Sequence, residues 1–241
     1  MKVLAIDTSN RPLSIAVLDG EKVLATTTMT TQRKHAAYAM QIVENLVKLA
    51  KLQPEDLDRI VVADGPGSYT GLRVAVTIGK VLADTLQIEL VSVSSLLTLA
   101  LNVQKEGQLV MPLFDARNDI LFTGLYRTSA NGPIEVIPDQ HVAFDDFVAQ
   151  VKQYDEPIVF LGEDVDKYAD RLQTIFGNHF KKMVGIDNLP QAAQLGIYGE
   201  KQLPLTDIDS IVPKYLRLTQ AEADWQKLHP GEGHESYVEQ V

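Results

Sequence analysis

The amino-acid sequence predicts an α/β protein made of two related lobes. Two observations support this: β-branched runs alternate with helix-like segments, and their order partly repeats after residue 105. Direct sequence similarity between the two halves is weak. With 241 residues and a hydrophobic content of 45%, the chain has enough apolar material to pack both lobes.

The first lobe is predicted to span residues 1–104 and to begin with three strands. The pair Asp19-Gly20 between the second and third strands is a favoured hairpin turn. A helix over residues 35–51 follows, because apolar residues recur there at helical spacing, and Pro54 closes that region. The predicted strands are 3–6, 13–18, 22–28, 59–63 and 89–93, and the further predicted helices are 72–86 and 94–104.

The second lobe is predicted to span residues 105–220 and again starts with strands. The final stretch, residues 221–241, is polar and contains Pro230-Gly231, which predicts a loosely held tail. The predicted strands are 109–114, 120–126, a weaker pair around 134–142, and 158–161, and the predicted helices are 144–153, 167–176 and 191–201.

The segment from Asp64 to Arg73, Asp-Gly-Pro-Gly-Ser-Tyr-Thr-Gly-Leu-Arg, is the most informative part of the chain. It joins a strand to a helix, so it predicts a tight turn whose glycines permit unusual backbone geometry and close approaches. A P-loop requires a second glycine five residues after the first. Thr70 stands five residues after Gly65, and Leu72 stands five residues after Gly67, so a P-loop is not indicated. The dinucleotide-binding motif lacks its third glycine, and the residues after Ser68 do not form a nucleophile elbow. The sequence therefore leaves open what this turn contacts or binds.

The helix after the turn is apolar around most of its circumference. Its polar residues form one narrow stripe: Arg73, Thr77, Lys80 and Asp84. A surface helix needs only one apolar face, so this helix is expected to be covered on two sides. Small residues at Ala75, Gly79 and Ala83 form a seam that lets another backbone approach. The seam packs either on the chain's own core, which the physics slightly favours, or on a partner.

The overall charge disfavours direct nucleic-acid binding. Acidic residues number 32 against 22 basic ones, giving a net charge of −10, and the basic clusters are small. The absence of cysteine excludes disulfides and thiolate metal sites. The N-terminal apolar run is interrupted by Asp7, which does not fit a signal peptide, and no run reaches membrane-spanning length. We therefore expect a cytoplasmic protein with no membrane partner.

No complete catalytic or metal site is recognisable from motifs. Asp7, Thr8 and Ser9 at the end of the first strand are weak candidates for a phosphate or metal corner, although a simple strand-end turn is the favoured interpretation. Asp115-Ala116-Arg117 after the first strand of the second lobe is equally well explained as a turn with a surface ion pair. The five histidines show no ligand spacing: His35, His141, His179, His229 and His234.

Three segments together resemble the TsaB (YeaZ) family: Val3–Ser9, Gly65–Lys80 and Asp115–Arg117. The closing Tyr215-Leu216-Arg217 is similar to that family as well. The resemblance covers the chain to about Glu222. It implies an actin-like/Hsp70-like/sugar-kinase-like (ASKHA) fold of two βββαβαβα lobes. It also implies a role in making threonylcarbamoyladenosine next to the anticodon of certain tRNAs, together with a related catalytic subunit, TsaD, and the ATPase TsaE.

The resemblance further implies that this chain is not the catalytic subunit. TsaD carries two metal-binding histidines after the strand that follows its long helix, and Ser95 and Leu99 stand at those positions here. Leucine cannot bind a metal, and serine is a poor ligand. The corner at Asp7 also lacks the glycine usual in phosphate-binding members of the fold. We therefore expect no cofactor bound by the chain alone, with ATP or ADP present only in a complex, and tRNA contacted indirectly through TsaD.

The resemblance assigns partner binding to helices of the first lobe, which pair with TsaD or with a second copy of the chain. Replacing Gly79 by a bulky residue is then expected to weaken the heterodimer and to leave the fold soluble. An independent metalloprotease-like or kinase-like enzyme and a regulatory homodimer are the alternatives. The expected interface residues are Tyr69, Thr70, Leu72, Arg73, Ala75, Val76, Gly79, Lys80, Ala83, Ala39 and Ile42.

Overall fold

The computed structural model describes residues 1–30 and 35–217, which contain two five-stranded sheets. The strands of the first sheet lie in the order β3-β2-β1-β4-β5. β1, β4 and β5 are parallel, whereas β2 and β3 extend the sheet as antiparallel hairpin strands. The strands are β1 (Lys2–Asp7), β2 (Pro12–Asp19), β3 (Lys22–Thr30), β4 (Arg59–Gly65) and β5 (Glu89–Ser94).

The second sheet repeats this connectivity in the order β8-β7-β6-β9-β10, so the predicted repeat is confirmed. The expected weaker pair around 134–142 is wrong: it is the single strand β8, whose irregular pairing with β7 breaks the alternation of the sequence. The three-residue β10 was not predicted because it is too short to show a pattern. The strands are β6 (Leu109–Asp115), β7 (Ile120–Arg127), β8 (Ile134–Ala143), β9 (Ile158–Leu161) and β10 (Phe180–Lys182).

Six helices complete two βββαβαβα units in the described residues. α2 begins three residues before its predicted start, because the Ser68 hydroxyl caps it by accepting a hydrogen bond from the N–H of Gly71. α3 ends at Ala100, four residues before its predicted end. The helices are α1 (His35–Leu49), α2 (Tyr69–Leu86), α3 (Ser95–Ala100), α4 (Phe144–Val151), α5 (Val165–Phe176) and α6 (Ala192–Glu200).

The helices and sheets form alternating layers. α1 and α2 cover one face of the first sheet, and α4 and α5 cover the outer face of the second sheet. α6 belongs to the second half of the chain but packs on the other face of the first sheet, where Gly196 and Gly199 lie directly against Leu18 and Val61. α3 packs on the second sheet. The two halves therefore exchange their last helices. The predicted limits 1–104 and 105–220 stay a prediction, and the predicted tail, residues 221–241, lies outside the described residues.

The small-residue seam of α2 faces the chain's own first sheet. Ala75, Gly79 and Ala83 are all buried, and a Cβ at Gly79 would lie 2.5 Å from Val62 Cγ1. The second flank of α2 is covered by α1 and by the segment 203–217, called here the C-terminal strap. A bulky side chain at Gly79 would have to displace the stiff, β-branched Val62. The expectation that such a change weakens the heterodimer and leaves the fold soluble stays a prediction.

Among the helices within 1–30 and 35–217, none combines the length and the apolar character needed to cross a bilayer.

Replacing Gly79 by leucine is predicted to lower the free energy of unfolding by about 1–3 kcal/mol, since the new side chain must displace Val62. Urea unfolding followed by far-UV circular dichroism measures the change. Thr77→Leu, at an exposed position on the same helix, is the matched control and should leave stability nearly unchanged. A fully stable Gly79→Leu variant would contradict the packing of the seam on the sheet.

Candidate functional site

The strand-end corner at Asp7, Thr8 and Ser9 is completely buried. The Asp7 carboxylate accepts a hydrogen bond from the N–H of Ser9 at 2.8 Å, and the Thr8 hydroxyl donates to the carbonyl of Gly71 at 2.7 Å. Asp7 Oδ2 and Ser9 Oγ have no hydrogen-bond partner among the described residues. The corner is thus a closed turn stabilised by local bonds, with two unsatisfied polar atoms.

The glycine turn packs directly on this corner. The N–H of Ser68 donates to the carbonyl of Ser9 at 2.6 Å. A Cβ at Gly67 would collide with the carbonyl of Ser9, and a Cβ at Gly71 would collide with the carbonyl of Thr8. Gly67 also has a φ of +157°, which L side chains rarely adopt. The glycines therefore allow two backbone segments of the same chain to lie in contact. The turn contacts the end of β1.

Asp7 is unsuited to holding a phosphate at this corner. Burial raises the pKa of its carboxyl to about 6, although the interaction with Ser9, which donates its backbone N–H to the carboxylate, opposes the shift. No cation pairs with it among the described residues. Within residues 1–30 and 35–217, no three His, Cys, Asp or Glu side chains form a group that could hold a metal ion. The corner offers neither a cationic cradle nor a ligand set, so the residues present do not fit a nucleotide.

Ser95 and Leu99, which stand where the resemblance places the histidines of TsaD, are both fully buried on α3. The Ser95 hydroxyl accepts a hydrogen bond from the N–H of Gly65 at 3.1 Å. Leu99 belongs to the apolar cluster that α3 forms against the second sheet. Both positions are therefore used for packing of the chain itself.

The Asp115-Ala116-Arg117 segment is a turn with an ion pair. The Asp115 carboxylate lies 2.7 Å from Lys167 Nζ and accepts from the Tyr168 hydroxyl at 2.8 Å and from the N–H of Arg117 at 3.0 Å. Burial alone raises the pKa of Asp115, but these hydrogen bonds together hold it below its usual value. Its oxygens are engaged within the lobe.

The expected interface residues divide into three groups by exposure. Six are buried within the first lobe: Leu72, Ala75, Val76, Gly79, Ala83 and Ala39. Ile42 and Lys80 are half-buried, and only Tyr69, Thr70 and Arg73 are exposed. In the single chain, a partner that docks on α1 and α2 meets the last three and cannot reach the first six.

Several exposed apolar side chains on the same two helices were not predicted. Tyr38 is 49% exposed and Met40 47% on α1, and Val81 is 55% exposed on α2. Leu49, at the end of α1, is also exposed. Large apolar side chains at outward positions of neighbouring helices are typical of surfaces that bind another protein.

The exposed N-terminal end of α2 carries an aromatic corner formed with the C-terminal strap. The rings of Tyr69 and Tyr215 stack with centroids 4.6 Å apart. The Arg73 guanidinium lies 4.4 Å from the Tyr69 ring centroid, and its Nε donates to the Tyr215 hydroxyl at 3.1 Å. Sequence separation of more than 140 residues hid this contact from pattern analysis.

Comparison with known proteins identifies close relatives. The family model described as "TsaD: tRNA N6-adenosine threonylcarbamoyltransferase" matches residues 22–225. The tRNA threonylcarbamoyladenosine biosynthesis protein TsaB of Bacillus subtilis (strain 168) is 40% identical over 226 residues, which are 93% of this chain and 98% of that protein. TsaB of Escherichia coli (strain K12) is 28% identical over 134 residues, 55% of this chain and 58% of that protein.

Solved structures share the fold. YeaZ from Pseudomonas aeruginosa superposes with a TM-score of 0.73 at 23% identity, covering 89% of this chain and 99% of that one. Together with the two βββαβαβα units, this likeness confirms the predicted ASKHA fold.

Asp7→Asn is predicted to stabilise the protein above pH 6 by up to about 3 kcal/mol, because about two pKa units correspond to that free energy. The pKa of Asp7 in the folded protein exceeds the ordinary value of 3.8. The free energy of unfolding of the wild-type protein therefore falls as pH rises from about 4 to 6. Asparagine does not ionise and avoids that loss. Urea unfolding at pH 4 and pH 7.5 measures the difference between the two proteins.

The control for this comparison is Asp84→Asn, at an exposed carboxylate on α2 that forms no ion pair among the described residues. It should show the same difference from wild type at both pH values. Equal stability of wild type and Asp7→Asn at pH 7.5 would contradict a buried, unpaired carboxylate at position 7.

Proposed function

The chain belongs to the TsaB family of tRNA threonylcarbamoyladenosine biosynthesis proteins, and on this premise we propose that it is the non-catalytic partner subunit of TsaD. In this role it binds TsaD and activates it in forming threonylcarbamoyladenosine next to the anticodon. A partner shifts a conformational equilibrium only through differential binding, so activation requires that the chain prefer the working conformation of TsaD.

The observation that carries the proposal is that the residues of the strand-end corner and of α3 are used for packing. Ser95 and Leu99 are buried in the chain's own structure, and the glycine turn fills the corner beside Asp7. Side chains committed in this way are unavailable for substrate or metal chemistry. The same features count against the metalloprotease-like and kinase-like alternatives.

The exposed apolar residues of α1 and α2 support a role in protein association. Tyr38, Met40 and Val81 are each about half exposed, on helices whose inner faces are already packed. Burying such side chains against a second helical surface is favourable by roughly 25 cal/mol per Å² of apolar area, before the costs of association. The regulatory homodimer uses the same face and remains the second candidate, because a second copy presents the same apolar residues.

Further partners follow from the proposed role. TsaE is the third member of the assembly, ATP or ADP enters only in the complex, and tRNA contacts mainly TsaD. The net charge of −10 supports this division, since a strongly acidic chain is a poor receptor for a phosphate backbone. The proposed location is the cytoplasm, where tRNA is modified.

A reconstituted transfer assay tests the proposal directly. Threonylcarbamoyl-adenylate and tRNA are incubated with TsaD and TsaE, with and without this protein, and modified tRNA is quantified by mass spectrometry. Product formation is expected only when the chain and TsaD are both present. Product formed by the chain without TsaD would contradict the non-catalytic role, and equal product without the chain would contradict activation.

Val81→Glu is predicted to raise the Kd for TsaD about tenfold or more, because a carboxylate would be desolvated in the apolar contact. Isothermal titration calorimetry measures the Kd, and thermal unfolding confirms an intact fold. Ile134→Glu is the matched control, at an apolar residue that is 60% exposed on the second lobe. Equal losses for both variants, or none for Val81→Glu, would place the partner elsewhere.

A further inference from the structure

Arg73 is held in one orientation on the surface of the first lobe. Its guanidinium lies over the Tyr69 ring, and its Nε is engaged by the Tyr215 hydroxyl. Stacking and a hydrogen bond through Nε together fix the plane of the guanidinium, and Arg73 is an exposed residue. An arginine held in this way loses little further side-chain entropy when it binds an anion.

Arg73, like Arg117, lacks a carboxylate partner among the described residues. Arg59, Arg127 and Arg171 each pair with a glutamate or aspartate at 2.5–2.7 Å. The bond that Arg73 makes through Nε is to a neutral phenol. In a chain with a net charge of −10, an exposed guanidinium that is oriented but not neutralised is suited to an incoming negative charge.

The C-terminal strap anchors the tyrosine that orients Arg73. The N–H of Lys214 donates to the carbonyl of Asp64 at 2.7 Å, and its ammonium lies 3.2 Å from the buried Asp64 carboxylate. Gly65 has no side chain, so the carbonyl of Lys214 can lie against its backbone. Further along, Lys80 Nζ donates to the carbonyl of Asp209 at 2.7 Å. Tyr215 is therefore positioned by bonds to the end of β4, next to the glycine turn.

We propose that Arg73 binds a carboxylate side chain of the protein that docks on α2, and that Tyr69 and Tyr215 are the positioning residues that hold it for this contact. The inference rests on the proposed function, since it specifies the chemistry by which that face recognises TsaD. Arg73 thereby determines specificity: a partner without an aspartate or glutamate at this point leaves a guanidinium desolvated without compensation.

A carboxylate fits this surface better than a phosphate does. The nearest other cation of α2, Lys80, is already neutralised by Asp209 at 3.2 Å. Phosphate sites usually gather several cations or free N–H groups, whereas a planar guanidinium matches one carboxylate through two parallel hydrogen bonds. The exposed Val81 on the same helix indicates a protein surface as the neighbour.

The test measures binding of purified TsaD to full-length chains by isothermal titration calorimetry. Arg73→Gln is expected to raise the Kd about thirtyfold, and Arg73→Lys nearly as much, because lysine keeps the charge and loses the planar pair of donors. Tyr215→Phe is expected to raise the Kd about threefold, since the charge stays and only its orientation is freed. Arg117→Gln, at an exposed arginine of the second lobe without a carboxylate partner in the described residues, is the matched control and should bind normally.

Double-mutant cycles then identify the carboxylate. Each exposed aspartate and glutamate on the docking surface of TsaD is replaced by its amide and combined with Arg73→Gln. One of them is expected to show no further loss in the double variant, which a merely structural role of Arg73 would not produce.

Four outcomes would overturn the inference. Normal binding by Arg73→Gln or by Arg73→Lys removes the guanidinium from the interface, and additive losses for every carboxylate exclude a paired acid. Dependence on Arg73 that exists only when ATP is added would assign it to a phosphate. No binding by the wild-type chain would contradict the proposed function itself, and with it this inference.

Discussion

The close contact between the glycine turn and the end of β1 is the constraint on which the first lobe depends. At Gly65, Gly67 and Gly71, an added Cβ would collide with backbone carbonyls of Lys214, Ser9 and Thr8 respectively. Three separate parts of the chain therefore meet within one turn, and only glycine permits the approach. The direction in which α2 leaves the sheet follows from this contact, because Ser68 both bonds to Ser9 and caps the helix.

The same contact closes the carboxyl end of β1. In open α/β sheets, ligands usually bind beyond the carboxyl ends of the parallel strands. Here the end of β1 is covered by the chain's own turn, and Asp7 is buried with no cation beside it in residues 1–30 and 35–217. The end of β5 is tied to the second lobe, where the Ser94 hydroxyl donates to Asp139 at 2.5 Å and Tyr126 donates to the same carboxylate. The exposed side chains that the proposed function uses, among them Val81 and Arg73, lie instead on α1 and α2.

The second half of the chain completes the first lobe. α6 packs on the inner face of the first sheet, and the strap lies along α2 with Ile208 and Ile211 against the apolar core. Arg59 also links the first lobe to the second half of the chain. Its guanidinium pairs with Glu89 and donates hydrogen bonds to the carbonyls of Gly199, Glu200 and Gln202. A partner that contacts the start of α2 therefore also contacts residues that come from the end of the described chain.

The sequence alone predicted most of the order of strands and helices, the repeat and the family, because these depend on local periodicity and on short, specific segments such as Gly65–Lys80. The exceptions are β10, which was not predicted, and β8, which was predicted as a pair of strands. The sequence also located the turn, since glycine and proline have few other uses between a strand and a helix. Only the tertiary structure decided what each apolar stripe faces. The seam at Gly79 and the exposed Val81 lie on one helix, and from the sequence pattern alone either of them could face a partner. They differ because Val62 fills the space beside Gly79, whereas no described residue covers Val81 to the same extent. The pairing of Tyr215 with Tyr69 and Arg73 was likewise beyond pattern analysis, because contacts between distant segments are set by packing and leave no local periodicity.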